Sequence, residues 1–383
     1  MEFVFWFLLG LLVYCYFGYP LLMAVWARVK ARPVRRERIE PTVSVVMSVH
    51  NEQNVIAGKL NNLLGLDYPS EKVEILVGSD GSTDRTGAEV RQLKNPRIRF
   101  VEFSQRRGKM AVLNELVAQA GHEVIVFTDA RQPFERNTMR ELVANMADPE
   151  VGCVSGELML SRAGGATAEG INLYWTYEKF IRAQESKVHS MLGATGAVYA
   201  IRRALFSPIP ENVVLDDMYV PLKIIEKGYR AIFDGNAKAY DEVADSPREE
   251  HRRKARTLFG NYQIFALFPS LLLIGRSPVA LQLVSHKLLR VLAPFFMIAL
   301  FFANLSLVGI PFYSMMVVLQ VLFYACAVLG AILRHQKSGV LRVLSRVCYV
   351  PYVFCLLNFS ALMGFFRFLS GRQSITWEKA KEK

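Results

Sequence analysis

The sequence predicts an α/β domain with a mostly parallel sheet, preceded by one membrane helix and followed by about three. Three observations carry this reading. Residues 3–26 and 291–333 hold no charged side chain, and each is long enough for spans of about 20 apolar residues. Residues 38–261 alternate short β-branched runs with helix-like stretches. Acids stand where those runs stop or a helix begins: Asp80, Asp129 and the pair Asp216-Asp217. Ends of parallel strands are where such folds bind ligands.

The elements follow in order. Residues 43–49, 73–77, 98–103 and 124–128 read as strands, with helices expected after residue 52 and over 109–120. This βαβα order implies helices on both faces of a parallel sheet. Residues 151–156 and 229–233 read as further strands, 167–188 and 217–227 as helices, with Gly228 as the C-terminal stop. Tyr174, Trp175, Tyr177 and Phe180 lie on the 167–188 helix, where packing is a better explanation of aromatics at that spacing than a sugar platform.

The expected organisation is a transmembrane helix over 1–27, the α/β domain over 38–261, and an interfacial segment over 262–287. Spans follow at about 288–308, 311–333 and 347–366, with a polar tail over 370–383. No basic leader or small-residue cleavage site marks 1–27 as a signal peptide. Arg28, Lys30, Arg32, Arg35, Arg36 and Arg38 follow the first span, so the positive-inside rule puts the α/β domain in the cytoplasm and the N-terminus outside. The span count then puts the C-terminus outside, although the basic tail argues the other way. The net charge of +12 fits this topology and contact with anionic lipid. No zinc-finger or RNA-binding signature accompanies it, so nucleic acid is not expected as a partner. Cys15, Cys153, Cys326, Cys348 and Cys355 show no C-x-x-C pairing, which argues against a disulfide framework or a zinc site.

Each acidic motif has a local explanation and a chemical one. In Asp80-Gly81-Ser82-Thr83-Asp84, glycine bends the chain and the polar residues cap it; alternatively, the carboxylate takes a base N–H or ribose hydroxyl. Asp129 ends another strand and is suited to Mg²⁺ or Mn²⁺ bridging phosphate oxygens. Of Asp216 and Asp217, one serves as a helix N-cap and the other as a base toward an acceptor hydroxyl. Arg106, Arg107 and Lys109, and the run Arg252-Arg253-Lys254-Ala255-Arg256, are either solvated charge or diphosphate ligands.

In this fixed order the motifs resemble those of membrane-bound family 2 glycosyltransferases of the GT-A fold, which has a Rossmann-like sheet. Hyaluronan, chitin-oligosaccharide and poly-N-acetylglucosamine synthases are members. The resemblance covers residues 41–263. It rests on Val49-His50-Asn51-Glu52, residues 79–86, Arg107-Gly108-Lys109 through Asn114, and Phe127-Thr128-Asp129-Ala130. The strings Gly193-Ala194-Thr195-Gly196-Ala197, Tyr199-Ala200-Ile201-Arg202-Arg203 and Leu215-Asp216-Asp217 complete it. It implies that Glu52 and Asp80 hold the nucleoside of a UDP-sugar and that Lys109 lies near the donor. By the same resemblance Asp129 binds the metal, Asp217 is the catalytic base, and Arg256 lies over the diphosphate. Gly193, Gly196 and Asp216 would stand on the acceptor side. The implied reaction is inverting transfer to a saccharide or lipid-linked acceptor, with Mg²⁺ or Mn²⁺ as cofactor. The topology above places it at the inner face of the cell membrane. Because four spans are few for a self-sufficient polymer channel, a partner subunit for polymer export or a lipid acceptor is expected.

Three departures bear on the product. Arg131 stands where a second metal-binding Asp is common, Leu215 opens the base motif in place of Thr, and Thr257 replaces the Trp that accompanies processive synthesis. Transfer of one or a few sugars is therefore expected. A non-catalytic sugar-binding scaffold is the rival reading, opposed by the intact acids. A transporter ranks last, because the uncharged runs that make up most of the expected spans, 3–26, 291–333 and 347–366, lack the intramembrane charges that usually mark ion or solute pathways.

Overall fold

The computed structural model describes residues 1–160, 166–241, 247–333 and 339–371; side chains are described outside 166–174, 247–255, 339–342 and 346. The polar tail beyond 371 and the side chains of Tyr174, Arg252, Arg253 and Lys254 lie outside the described residues. In chain order, α1 (Glu2–Val13) and α2 (Tyr19–Val29) are joined by a π-turn over Tyr14–Gly18. β1 (Val43–Val49), α3 (Ile56–Leu64), β2 (Val73–Asp80), α4 (Thr86–Gln92), β3 (Ile98–Phe103), α5 (Lys109–Gln119) and β4 (Val124–Thr128) follow. Next come α6 (Thr138–Ala144), β5 (Val151–Leu160), α7 (Ala166–Val188), β6 (Val198–Arg202), α8 (Asp216–Glu226) and β7 (Arg230–Asp241). Helices α9 (Pro247–Leu267), α10 (Ala280–Gln282), α11 (Leu289–Leu305), α12 (Pro311–Leu333) and α13 (Gly339–Ser370) complete the chain.

The chain divides into two compact units. One holds Lys30 to Leu160 and Arg182 to Asp241; the other holds α1, α2, the first part of α7 up to Ile181, and α9 onward.

In the first unit seven strands form one sheet in the order β3-β2-β1-β4-β6-β5-β7. β3, β2, β1 and β4 are mutually parallel, and β6 runs antiparallel to both β4 and β5. β1 is covered on both faces, which is why Val43, Val45, Val46, Met47 and Val49 form a near-continuous apolar run. The chain moves from β1 outward to β2 and β3, then returns to place β4 on the other side of β1. The carboxyl ends of β1, β2 and β4 thus gather at a topological switch point, the crevice that suits a ligand. Helix α3 packs on the sheet through Ile56, Leu60 and Leu63, spaced for one helical face. Burying each such side chain contributes roughly 1.5–3 kcal/mol. Lys59 occupies the same buried stripe.

The other unit contains four helices long and apolar enough to cross a membrane: Glu2–Val29, Ala280–Leu305, Pro311–Leu333 and Val343–Ser370. α1 packs Phe5 and Leu8 against Leu300 and Tyr313. The helix from Ala280 runs through a π-turn over Leu283–Leu288 into α11, so it takes in His286, Lys287 and Arg290. Ionisable residues therefore do occur within a candidate span, contrary to the charge-free spans expected from sequence. Their partner is Glu178 of α7, a buried carboxylate bonded by Arg290, by His286 Nε2 at 3.2 Å and by Lys287 Nζ at 3.9 Å. Arg290 also donates to Tyr177 Oη at 2.8 Å, and Tyr177 donates to the carbonyl of Tyr16 at 2.7 Å. Tyr177 is therefore a packing residue, while Phe180 of the same helix is exposed.

Candidate active site

The loops after β1 and β2 are laced together. Asn51 adopts φ 55°, a left-handed conformation that Asn tolerates better than most residues. Its side-chain oxygen accepts the Thr83 N–H at 2.8 Å and its own N–H donates to Ser82 Oγ at 3.1 Å. Glu52, three residues beyond the end of β1, donates its N–H to Thr86 Oγ1 at 2.8 Å. Its carboxylate faces Arg131 Nε at 3.4 Å.

Asp80 is the last residue of β2 and is buried. Its carboxylate accepts the N–H of Arg107 at 2.6 Å and that of Gly108 at 3.0 Å, and its carbonyl accepts from His50 Nδ1 at 2.7 Å. Asp80 thereby anchors the turn that opens α5. Gly81 makes the approach feasible: φ is +61°, and a Cβ there would sit 2.8 Å from the Arg106 nitrogen.

The turn delivers Lys109 to the centre of the site. Its ammonium lies 3.2 Å from Asp129 Oδ1 and 3.4 Å from Asp216 Oδ2. Burial disfavours the charge of Lys109, but Asp129, Asp216 and Asp217 outweigh it and hold the ammonium above its ordinary range. Asp216 is not an N-cap: Leu215 holds that position with no side-chain capping bond. Asp216 turns inward instead, and its buried Oδ2 accepts no hydrogen bond among the described residues, leaving Lys109 as its ion-pair partner.

Asp217 has the environment of a base. Burial and the adjacent Asp216 push its pKa up to about 6, against the pull of Lys109 and Arg182. The Gly193 to Gly196 segment lies directly on it. Ala194 N–H donates to the Asp217 carbonyl at 2.7 Å. A Cβ on Gly196 would stand 3.2 Å from Asp217 Oδ2, so glycine keeps that oxygen accessible. Thr195 accepts from Arg182 Nη1 at 3.2 Å and donates its N–H to Ser155 Oγ at 2.8 Å, which fixes the segment. Behind the acids, Tyr199 stacks on Phe127 with centroids 4.6 Å apart. Its hydroxyl is fully buried and has no hydrogen-bond partner among the described residues.

Sequence reasoning missed Arg182, Tyr199 and Lys59. Arg182 and Lys59 stand outside the strings that drew attention, and Tyr199 was noted only as part of one. A lysine in the apolar stripe of α3 was a visible signal. Lys59 Nζ donates to the Gln132 carbonyl at 2.5 Å and lies 3.9 Å from the centre of the Phe134 ring. Burial pushes its pKa down to about 7, with Asp129 acting the other way.

Among the described residues, no three His, Cys, Asp or Glu side chains gather as a metal cage. Asp129, with its side chain 40% exposed, fits a cation completed by phosphate oxygens and water. Glu52, Asp80, Lys109, Asp129, Gly193, Gly196, Asp216 and Asp217 all belong to the sheet-bearing unit. Lys109, Asp129, Asp216 and Asp217 form one electrostatic cluster, to which Gly193 and Gly196 add the adjoining wall. Arg256 and Thr257 lie on α9 in the helical unit, half-buried and exposed respectively.

The seven-stranded sheet with acids at its switch point is a GT-A-type fold. Residues 44–209 match the model of Glycosyl transferase family 2. It is 25% identical over 250 residues to a probable glycosyltransferase, YdaM, of Bacillus subtilis, covering 62% of this chain and 59% of that protein. It is 22% identical over 341 residues to an N-acetylglucosaminyltransferase of Rhizobium meliloti, covering 84% and 78%. A poly-beta-1,6-N-acetyl-D-glucosamine synthase of Staphylococcus aureus is 22% identical over 228 residues, covering 58% and 55%. The matches thus span little more than half the length of the first and third of these relatives. The fold is shared with the mannosyltransferase PcManGT from Pyrobaculum calidifontis, solved with GDP-Man and Mn²⁺. The TM-score is 0.72 at 24% identity, over 97% of this chain and 100% of that one.

Proposed function

We propose that this chain is a membrane-bound inverting glycosyltransferase that moves a sugar from a nucleotide sugar, a UDP-sugar by our reading, to a hydroxyl of a saccharide or lipid-linked acceptor. The observation that carries the reading is the Asp217 carboxylate, raised to about 6 and lying against Gly196, within the charge cluster of Lys109 and Asp129. A base so tuned is largely ionised at neutral pH yet still able to accept a proton. In this reading Asp217 takes the acceptor proton as the hydroxyl attacks the anomeric carbon. Lys109 balances negative charge on the diphosphate side, and Glu52 and Asp80 serve the nucleoside. Arg256 would add charge to the leaving group. Mg²⁺ or Mn²⁺ held by Asp129 would supply Lewis-acid stabilisation of the diphosphate; the relative solved with Mn²⁺ supports a divalent ion.

The four apolar helices and the basic residues after the first support a cell-membrane enzyme with its catalytic domain in the cytoplasm. Relatives named as an N-acetylglucosaminyltransferase and a poly-beta-1,6-N-acetyl-D-glucosamine synthase support a role in cell-surface polysaccharide or glycolipid synthesis. With Thr257 in place of an aromatic, the chain adds one or a few sugars unless a partner subunit retains the polymer.

The test is incubation of purified protein in lipid with a panel of nucleotide sugars, with and without chelator, followed by mass analysis of products. A short, metal-dependent glycosylated product is expected. Absence of both transfer and donor hydrolysis across the panel would leave the scaffold reading in its place, and full activity in excess chelator would remove the metal.

A further inference from the structure

The segment after Asp129 is fastened by α3 from behind. Lys59 Nζ donates to the Gln132 carbonyl at 2.5 Å and stands over the Phe134 ring at 3.9 Å. One turn on, Asn62 closes a two-bond clamp on Phe134, donating to its carbonyl at 2.9 Å and accepting its N–H at 2.8 Å. Glu52, from the loop that leads into α3, faces Arg131 at 3.4 Å. Gln132 Nε2 donates to Asp241 Oδ2 at 3.0 Å.

Lys59 is the costly member of this set. It is 3% exposed, in a stripe otherwise made by Ile56, Leu60 and Leu63. An apolar side chain there would extend the stripe, and burying an ammonium costs several kcal/mol before its partners offset it. Its described hydrogen-bond acceptor is a backbone carbonyl, and it forms no ion pair within 4 Å among the described residues. Asn62 by itself supplies two hydrogen bonds to the same segment, so the charge is more than fastening requires.

We propose that Lys59 is a positioning residue for the donor diphosphate: its buried ammonium holds the Asp129 to Phe134 segment in shape and supplies positive charge behind it. The inference rests on the reading of Asp129 as the diphosphate-side acid. Lys59 does not touch the donor; it acts through the carbonyl of Gln132 and through the field at Asp129.

The experiment compares binding of UDP, GDP and UMP, each with Mn²⁺, to the full-length protein in nanodiscs by calorimetry at pH 6, below the value of about 7 to which burial pushes Lys59, so that its side chain carries its proton. The variants are Lys59→Met, Lys59→Gln, Lys59→Arg and Asp129→Asn, each checked for folding by its thermal transition. With whichever diphosphate the wild type binds, Lys59→Met is expected to weaken affinity roughly ten- to hundredfold, the range for a hydrogen bond from a charged group. UMP affinity is expected to stay within threefold, and Lys59→Arg to retain most diphosphate affinity. Lys59→Gln, which keeps a donor but no charge, is read by the same thresholds should the methionine variant fail to fold. Unchanged diphosphate affinity in a folded neutral variant would overturn the proposal, as would equal loss of UDP and UMP, which marks a general structural role. If Asp129→Asn leaves diphosphate binding intact, or the wild type binds neither diphosphate, the donor-site reading falls first and this inference with it.

Discussion

Two buried carboxylate clusters, one in each unit, have opposite balances. Glu178 faces Arg290 and Lys287 as well as His286, so the two fixed cations outnumber the acid. Burial disfavours its charge, but Arg290 and then His286 hold its carboxyl well below the ordinary range. Asp217 stands beside Asp216 and Asp129, with Lys109 and Arg182 as counter-charges, and is raised to about 6. The same residue chemistry yields a fixed ion in one place and an exchangeable proton in the other. The ratio of neighbouring charges decides which, and it separates a group that holds helices together from one suited to proton transfer.

The sharpest way to break the comparison is to remove the exchangeable proton. Asp217→Asn is expected to lower the rate of transfer about 10²–10⁴-fold while nucleotide affinity stays within a few-fold. Near-normal turnover by folded protein would take Asp217 out of the mechanism. Glu178→Gln is expected to do the reverse. Removing one partner of a buried ion pair costs about 3–5 kcal/mol, so the thermal transition should fall markedly, with residual activity per folded molecule preserved. An unchanged transition would show that the cations around Glu178 are satisfied without it.

The smallest effect is in pH dependence, and the two clusters differ in sign. Asp217 has its pKa raised on folding, so its contribution favours the folded state at low pH and is lost as pH rises through about 6, where the catalytically competent carboxylate appears. Glu178 has its pKa lowered, so its contribution is present above the ordinary glutamate range and is lost only as pH falls below it. Rate should therefore rise through about pH 6 to a plateau. Asp217→Asn should melt higher than wild type at pH 8, a gain that shrinks as pH falls below about 6 and disappears only near the ordinary Asp range around 3.8. A rate that is flat from pH 5 to 8 would detach the raised pKa from catalysis.

Legibility from sequence followed the strength of local patterns. β1, β3 and β4 fall at the expected residues because each is a short apolar run with clear stops. β2, β5 and β7 run further than expected, since pairing carries the ladder through polar residues such as Asp80 and Lys238. β6 and α6 were missed. β6 is antiparallel and only five residues long, and tertiary pairing with β4 and β5 decides it. The acids were legible because they end elements. Their partners were not, because Arg182 and Lys59 reach the site only through the fold. Asp216 shows the limit of capping logic: an acid at a helix start was spent on Lys109 instead of on the helix.

Lys109 belongs to two neighbours at once, Asp129 and Asp216, and its field also reaches Asp217. That sharing makes the two sides of the site thermodynamically linked. An anion that draws the ammonium toward Asp129 weakens its hold on the Asp216-Asp217 pair, and the pair then binds a proton more tightly. By reciprocity, protonating the pair frees the ammonium for the anion. Occupancy on one side and proton uptake on the other are a single equilibrium, with one lysine as its common variable.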